Sequence, residues 1–168
     1  MNDQLSQALN DQMNFEFASA QVYLAMAGYC SGESLDGFAN FFIVQAEEER
    51  FHAMKLYKYL NDRGVRVSVS GMDTPRNEYG SVLEAFEHAY EHEKEVTRRI
   101  YHLSDLAMND REHATIQFLK WFIDEQVEEE SMFDGIIHKL KRIDQDGNAF
   151  FMMDNEFAQR VFTPPAAG

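Results

Sequence analysis

Residues 38–59 read FANFFIVQAEEERFHAMKLYKY. Alternating four- and three-residue steps along this stretch select Phe38, Phe42, Gln45, Glu49, His52, Leu56 and Tyr59. Such spacing marks the buried seam of a bundle helix, here apolar at both ends and polar in the middle. The stretch contains no proline or glycine, so a single helix can run through it. The polar interruption is what the rest of the chain has to explain.

The same stepping finds three further seams. One runs from Leu9 through Met13, Glu16, Ala20, Tyr23 and Ala27 to Cys30. The next runs from Val82 through Phe86, Ala89, Glu93, Val96 and Ile100 to Leu103. The last runs from Leu119 through Phe122, Gln126, Glu129 and Phe133 to Ile143. Prolines occur only at 75, 164 and 165, and glycines gather at 28–37, at 64–80 and at 147. These breaks predict helices over 4–31, 35–63, 81–108 and 110–143, with a short fifth helix over 148–162. Ser34, Ser81 with Glu84, Asn109 with Glu112, and Asn148 are the expected N-terminal caps, and Gly64 the expected helix stop. Gly135 falls inside a helix and predicts a bend or a close contact. Residues 64–80 form the one long connection. The chain therefore reads as all-α: a four-helix bundle with one long crossover and a short fifth C-terminal helix. Residues 1–145 form the bundle, 146–163 the fifth helix and 164–168 a tail, all within a single domain. In that fifth helix Phe150, Met153, Phe157 and Val161 share a face, which predicts burial at a subunit contact.

Composition narrows the function. The 168 residues carry 15 Lys and Arg against 29 Asp and Glu, a formal charge of −14. That balance argues against nucleic acid or an anionic membrane as partner and favours a cationic one. The single cysteine, Cys30, rules out an internal disulfide and any Cys-rich metal site. With no bilayer-length apolar run and no secretory leader at Met1-Asn2-Asp3-Gln4, the expected location is cytoplasmic.

The polar seam positions are mutually spaced. Glu16 to Glu49 and Glu93 to Gln126 are both separated by 33 residues, and an offset of 77 pairs Glu16 with Glu93, Glu49 with Gln126 and His52 with Glu129. Antiparallel helix pairs with that common stagger bring all six side chains to one level. Four carboxylates in an oily interior repel one another, and each buried ion costs on the order of several kcal/mol unless compensated. The seams hold no Lys or Arg. Two divalent cations would balance Glu16, Glu49, Glu93 and Glu129, with His52 as a neutral nitrogen ligand. Oxygen-rich ligands with one imidazole suit iron or manganese better than structural zinc. The i, i+3 spacing of Glu49 and His52 lets both reach one ion.

Asn14-Phe15-Glu16, Gln45-Ala46-Glu47-Glu48-Glu49-Arg50-Phe51-His52, His92-Glu93 and Phe118-Leu119-Lys120-Trp121-Phe122, leading into Asp124-Glu125-Gln126-Val127-Glu128-Glu129-Glu130, together resemble the bacterial and archaeal non-haem ferritins. The likeness runs over nearly the whole chain and implies a ferritin-like bundle that acts as a ferroxidase. It implies one iron held by Glu16, Glu49 and His52. A second would be held by Glu93 and Glu129, with Glu49 bridging and Gln126 alongside. A third site would draw on Glu48, Glu125, Glu128 and Glu129. Tyr23 matches a hydrogen-bonding, redox-capable neighbour of the centre. The resemblance further implies a homo-oligomeric shell of 24 subunits, Fe(II) and dioxygen or peroxide as substrates, and a stored ferric oxyhydroxide. The haem-binding relatives carry a second Glu-x-x-His on the fourth helix. Here that position reads Gln126-x-x-Glu129 and Arg50 follows Glu49, so no haem is expected. The positions matching the acidic threefold channel of animal ferritins fall on Ile116 and Leu119.

Overall fold

In the computed structural model, which describes residues 1–164, five helices follow in order: α1 (Asp3–Gly32), α2 (Asp36–Asp62), α3 (Val82–Asn109), α4 (His113–Ile143) and α5 (Gly147–Phe157). Residues 165–168 of the expected tail lie outside the described residues. The first four pack as antiparallel pairs, α1 on α2 and α3 on α4, with α1 also against α3 and α5 laid across the start of α2.

Local chemistry explains most boundaries and corrects several expected ones. Ser81 caps α3 by accepting from the Glu84 N–H at 3.0 Å, and the Glu84 carboxylate reaches back to accept from the Gly80 N–H, one residue before the cap. Gly64 takes φ +71° past the end of α2, a left-handed conformation that favours glycine. Ser34 does not cap α2: it adopts φ 60° to close the α1–α2 turn, and Leu35 becomes the cap residue with no side-chain bond. Asp154 of α5 takes over that duty, accepting from the Phe38 N–H at 2.9 Å. The expected Asn109–Glu112 box does not form either, because α3 continues through Asn109. Glu112 instead receives the Met1 ammonium at 2.7 Å and the Arg63 guanidinium at 3.0 Å. Asp146, not Asn148, caps α5 by accepting from the Ala149 N–H.

The fifth helix ends at Phe157, short of the expected 162, and part of its apolar face is covered within the chain. Met153 is buried, and Phe150 and Phe157 pack on the bundle's own core. Val161 lies beyond the helix, 75% exposed. Gly135 meets no neighbour that a Cβ would touch; the close approach is at Gly37, where a Cβ would sit 1.6 Å from the Asp154 carbonyl oxygen. Leu119 is fully buried among core residues and therefore lines no surface channel.

The crossover is strapped to α1 by two asparagines. Asn10 accepts from the Ser68 N–H at 2.8 Å and donates back to the Ser68 carbonyl at 3.0 Å, while Asn14 donates to that carbonyl at 2.9 Å and accepts from the Ser70 N–H at 3.0 Å. These bonds satisfy backbone groups that an extended connection leaves open.

Two apolar clusters fill the interior. One gathers Tyr23, Met26, Phe38, Phe41, Phe42, Phe86 and Phe133; the other gathers Leu5, Leu9, Met13, Leu56, Leu60, Ile100 and Phe122. Burying this much hydrocarbon drives the fold. Between the clusters, at mid-height of all four helices, lies a polar layer.

Candidate metal centre

Each long helix contributes to the layer: Glu16 from α1, Glu49 and His52 from α2, Glu93 from α3, and Gln126 and Glu129 from α4. All six are buried, Glu16 and Glu93 completely and Glu129 least, at 7% exposure. The structure does not treat them alike.

Glu16, Glu49 and His52 present ligand atoms that lie within 4.8 Å of one another, and among the described residues this is the one such group of metal-ligating side chains. Glu16 Oε1 accepts from the Gln12 amide at 2.7 Å, but its Oε2 has no partner, and neither oxygen of Glu49 has one. His52 Nδ1 stands 3.7 Å from Glu49 Oε1. Buried polar atoms in native proteins are nearly always hydrogen-bonded, so three orphaned carboxylate oxygens in a dry interior call for an explanation.

The other ligand candidates are held by hydrogen bonds instead. Tyr23 donates its hydroxyl proton to Glu93 Oε1, and Gln126 donates to Glu93 Oε2 at 3.0 Å. Gln45 donates to Glu129 Oε2 at 2.8 Å. The suggested third set is looser. Glu48 and Glu125 are half-buried and Glu128 exposed, and they do not join a convergent ligand group. Glu48 is bonded to Arg160 at 3.1 Å.

Electrostatics follows from burial. Removal from water is the largest influence on Glu49 and lifts its carboxyl well above the usual range, with the charges of Glu93, Glu16 and Glu129 adding to it. Burial also raises Glu16, against the pull of the neighbouring Glu49 carboxyl, the Gln12 hydrogen bond and the Arg99 charge, and lifts Glu129 well above the ordinary value, reinforced by Glu93 and Glu48. Glu93 rises to about 7, burial outweighing the bonds from Tyr23 and Gln126. His52 falls to about 4, so at neutral pH its imidazole is uncharged and able to coordinate. Tyr23 is pushed well above its ordinary value, by burial first and Glu93 next, so it keeps its proton and donates. Carboxylates that resist ionisation beside a neutral imidazole match a site whose missing charge is a divalent cation.

Several participants escape the seam pattern. Gln12 lies four residues before Glu16, one helical turn away, a spacing that could have found it. Its own carbonyl oxygen accepts from Arg99 at 2.9 Å. His92, stacked on Phe15, shares a 2.8 Å hydrogen bond with Ser19 beside the layer. Arg160 carries no sequence signal at all, being 112 residues from Glu48.

A four-helix bundle whose oily interior is cut by a Glu/Gln/His layer is ferritin-like in class. Comparison with known proteins gives the same result. The ferritin-like domain family matches residues 6–143. The bacterial non-haem ferritin of Staphylococcus aureus (strain USA300) is 51% identical over 162 residues, 96% of this chain and 98% of its own. That of Staphylococcus saprophyticus is 50% identical over the same length. Among solved structures, an engineered closed form of Archaeoglobus fulgidus ferritin superposes with a TM-score of 0.95 at 43% identity, covering 97% of this chain and 99% of that one. The open-pore ferritin from the same archaeon gives 0.94 at 42% identity, covering 96% and 99%. The chain belongs to the ferritin family, alongside the bacterial non-haem ferritins.

Proposed function

We propose that this protein is an iron-storage ferritin subunit whose buried layer is a ferroxidase centre. Fe(II) is the substrate. Glu16, Glu49 and His52 take one ion, Glu93 and Glu129 take a second with Glu49 shared between them, and Gln126 stands beside the second. Two Fe(II) ions each give up one electron, and dioxygen takes the pair with two protons to reach the level of hydrogen peroxide; peroxide itself can serve as oxidant in place of dioxygen. Anionic oxygen ligands stabilise the ferric product over the ferrous substrate. Tyr23 orients Glu93 by donating to it. Glu48, Glu125 and Glu128, with Glu129, lead from the buried layer toward the surface and carry iron onward for storage as ferric oxyhydroxide. Residues 1–145 carry this chemistry, and the assembled form is a homo-oligomeric shell of 24 copies in the cytoplasm.

The observation that supports the centre most strongly is the trio of unpartnered oxygens on Glu16 and Glu49 beside an uncharged His52. No described helix is long and apolar enough to cross a membrane. The test is dioxygen consumption on adding Fe(II) to the assembled protein, compared with a Glu49→Ala/His52→Ala variant. Rapid uptake by the native protein and a rate near buffer alone for the variant are expected; equal rates would sink the enzymatic assignment. Sizing chromatography reads the assembly, and a dimer would contradict the shell.

A further inference from the structure

The segment after α5 delivers one cationic side chain to the edge of the polar layer. We propose that Arg160 is a positioning residue of the metal centre: its guanidinium, bonded to Glu48 and linked through Gln45 to Glu129, keeps those carboxylates from trapping a cation, so that metal moves on. The proposal rests on the reading of the buried layer as a divalent-metal centre.

Arg160 is fixed at both its backbone and its head. The Asn40 side-chain amide donates to the carbonyls of Phe157 and Arg160, each at 2.9 Å, anchoring the segment on α2. The guanidinium donates to the Phe41 carbonyl at 3.1 Å, to Gln45 Oε1 at 3.0 Å and to Glu48 Oε2 at 3.1 Å, and it lies over the Phe41 ring at 4.2 Å. A planar fork can hold these partners together; a lysine ammonium cannot reproduce that arrangement. The arginine side chain is only 19% exposed, so its charge is screened less than that of a free surface residue.

Two effects follow. Because the Gln45 oxygen is engaged by Arg160, its amide nitrogen must face Glu129, to which it donates at 2.8 Å. Arg160 thereby sets the direction of Glu129 through Gln45. The guanidinium charge also stands 3.1 Å from Glu48. An incoming divalent ion must displace that charge or bind next to it. Glu129 belongs to the buried layer and Glu48 is half-exposed, so the pair spans the step from interior to surface. Cation affinity at this step is held low by a resident cation.

The test is calorimetric titration of the assembled, full-length protein with Zn²⁺, which binds without redox chemistry. The native protein is expected to show a tight class of sites and a weaker one. Arg160→Ala should tighten the weaker class by roughly fivefold at low salt, an effect that shrinks as salt is raised, and should leave the tight class unchanged. Arg160→Lys, which keeps the charge without the fork, should fall between the two. Should Arg160→Ala fail to assemble, Arg160→Gln makes the same charge change with a polar side chain. A weaker class that is unchanged or loosened by loss of Arg160 overturns the proposal. Glu49→Ala separates the two levels of inference: if it leaves every class of Zn²⁺ binding intact, the metal-centre reading itself fails. If it removes the tight class while the weaker one ignores Arg160, only the proposal falls.

Discussion

Replacing Glu49 by glutamine should make the metal-free protein more stable and weaken its stabilisation by metal. Glu49 is 1% exposed, neither of its oxygens has a partner, and three other carboxylates surround it. Glutamine keeps the shape, removes the charge and adds N–H donors, one of which can satisfy the orphaned Glu16 Oε2. Leaving a buried polar group unsatisfied costs about 1–3 kcal/mol, and that is the expected gain. For a chain of this size each kcal/mol moves the thermal midpoint by about 2–4 °C, so the metal-free midpoint should rise by roughly 2–12 °C. The assay is scanning calorimetry with chelator at pH 8, then with excess Zn²⁺. A ligand at a hundred times its dissociation constant stabilises the native state by about 2.7 kcal/mol, and the variant should forfeit most of that. The variant's lead should therefore shrink or reverse when zinc is added. Alanine would not give this result, because the cavity it leaves destabilises in its own right. A lower metal-free midpoint for Glu49→Gln, or undiminished stabilisation by zinc, would refute the assignment of Glu49 as an uncompensated metal ligand.

Two other outcomes follow from the same structure. In the metal-free protein Glu93 has its pKa raised to about 7, and Glu16, Glu49 and Glu129 are raised too, so the stability they contribute is complete below the unfolded carboxylate range and is lost as pH climbs through their folded values. His52 and His92, both lowered to about 4, act in the opposite sense, but only below the ordinary histidine value of 6.5. Between pH 6.5 and 8 the carboxylates act alone: the midpoint measured with chelator should fall across that window, and saturating Zn²⁺ should flatten the slope. At the far end of the bundle, Gly37→Ala should destabilise by about 1–3 kcal/mol, because its Cβ would meet the Asp154 carbonyl and lift α5 off the start of α2. Thermal unfolding checks it, with Gly28→Ala, where a Cβ has open space inside α1, as the control that should be stabilised by about 0.5–1 kcal/mol.

How far the sequence could be read depended on whether a feature was local. Glu16, Glu49, His52, Glu93, Gln126 and Glu129 were legible because helical periodicity and a shared stagger locate a side chain along and around a bundle without any knowledge of loops. The Ser81–Glu84 cap and Gly64 were legible because each is settled within a few residues. Misplaced features were those decided by tertiary contact. Ser34 had the right chemistry for a cap, but Asp154, 116 residues from Phe38, does the work. The apolar face of α5 pointed to an interface, and packing within the chain buries Met153 and partly covers Phe150 and Phe157, since amphipathicity states that a face is covered and not by what. Arg160 was invisible for the same reason.

The polar layer is asymmetric in a way that bears on how it would load. At Glu16, Glu49 and His52 a cation finds oxygens already stripped of partners, so binding there breaks no protein hydrogen bond. For Glu93 or Glu129 to turn toward a second ion, bonds from Tyr23, Gln126 or Gln45 must first lengthen or be shared. Under the proposed function the first ion therefore binds tightly and the second more weakly. Both sets lie in one buried layer, so the charge of the first ion also eases ionisation of the remaining carboxylates that burial resists. Loading one position in this way prepares the other, and the protons held by the metal-free layer leave as the ions arrive. Proton release per ion bound, followed by titration in weak buffer, should consequently rise as pH is lowered from 8 toward 6.5.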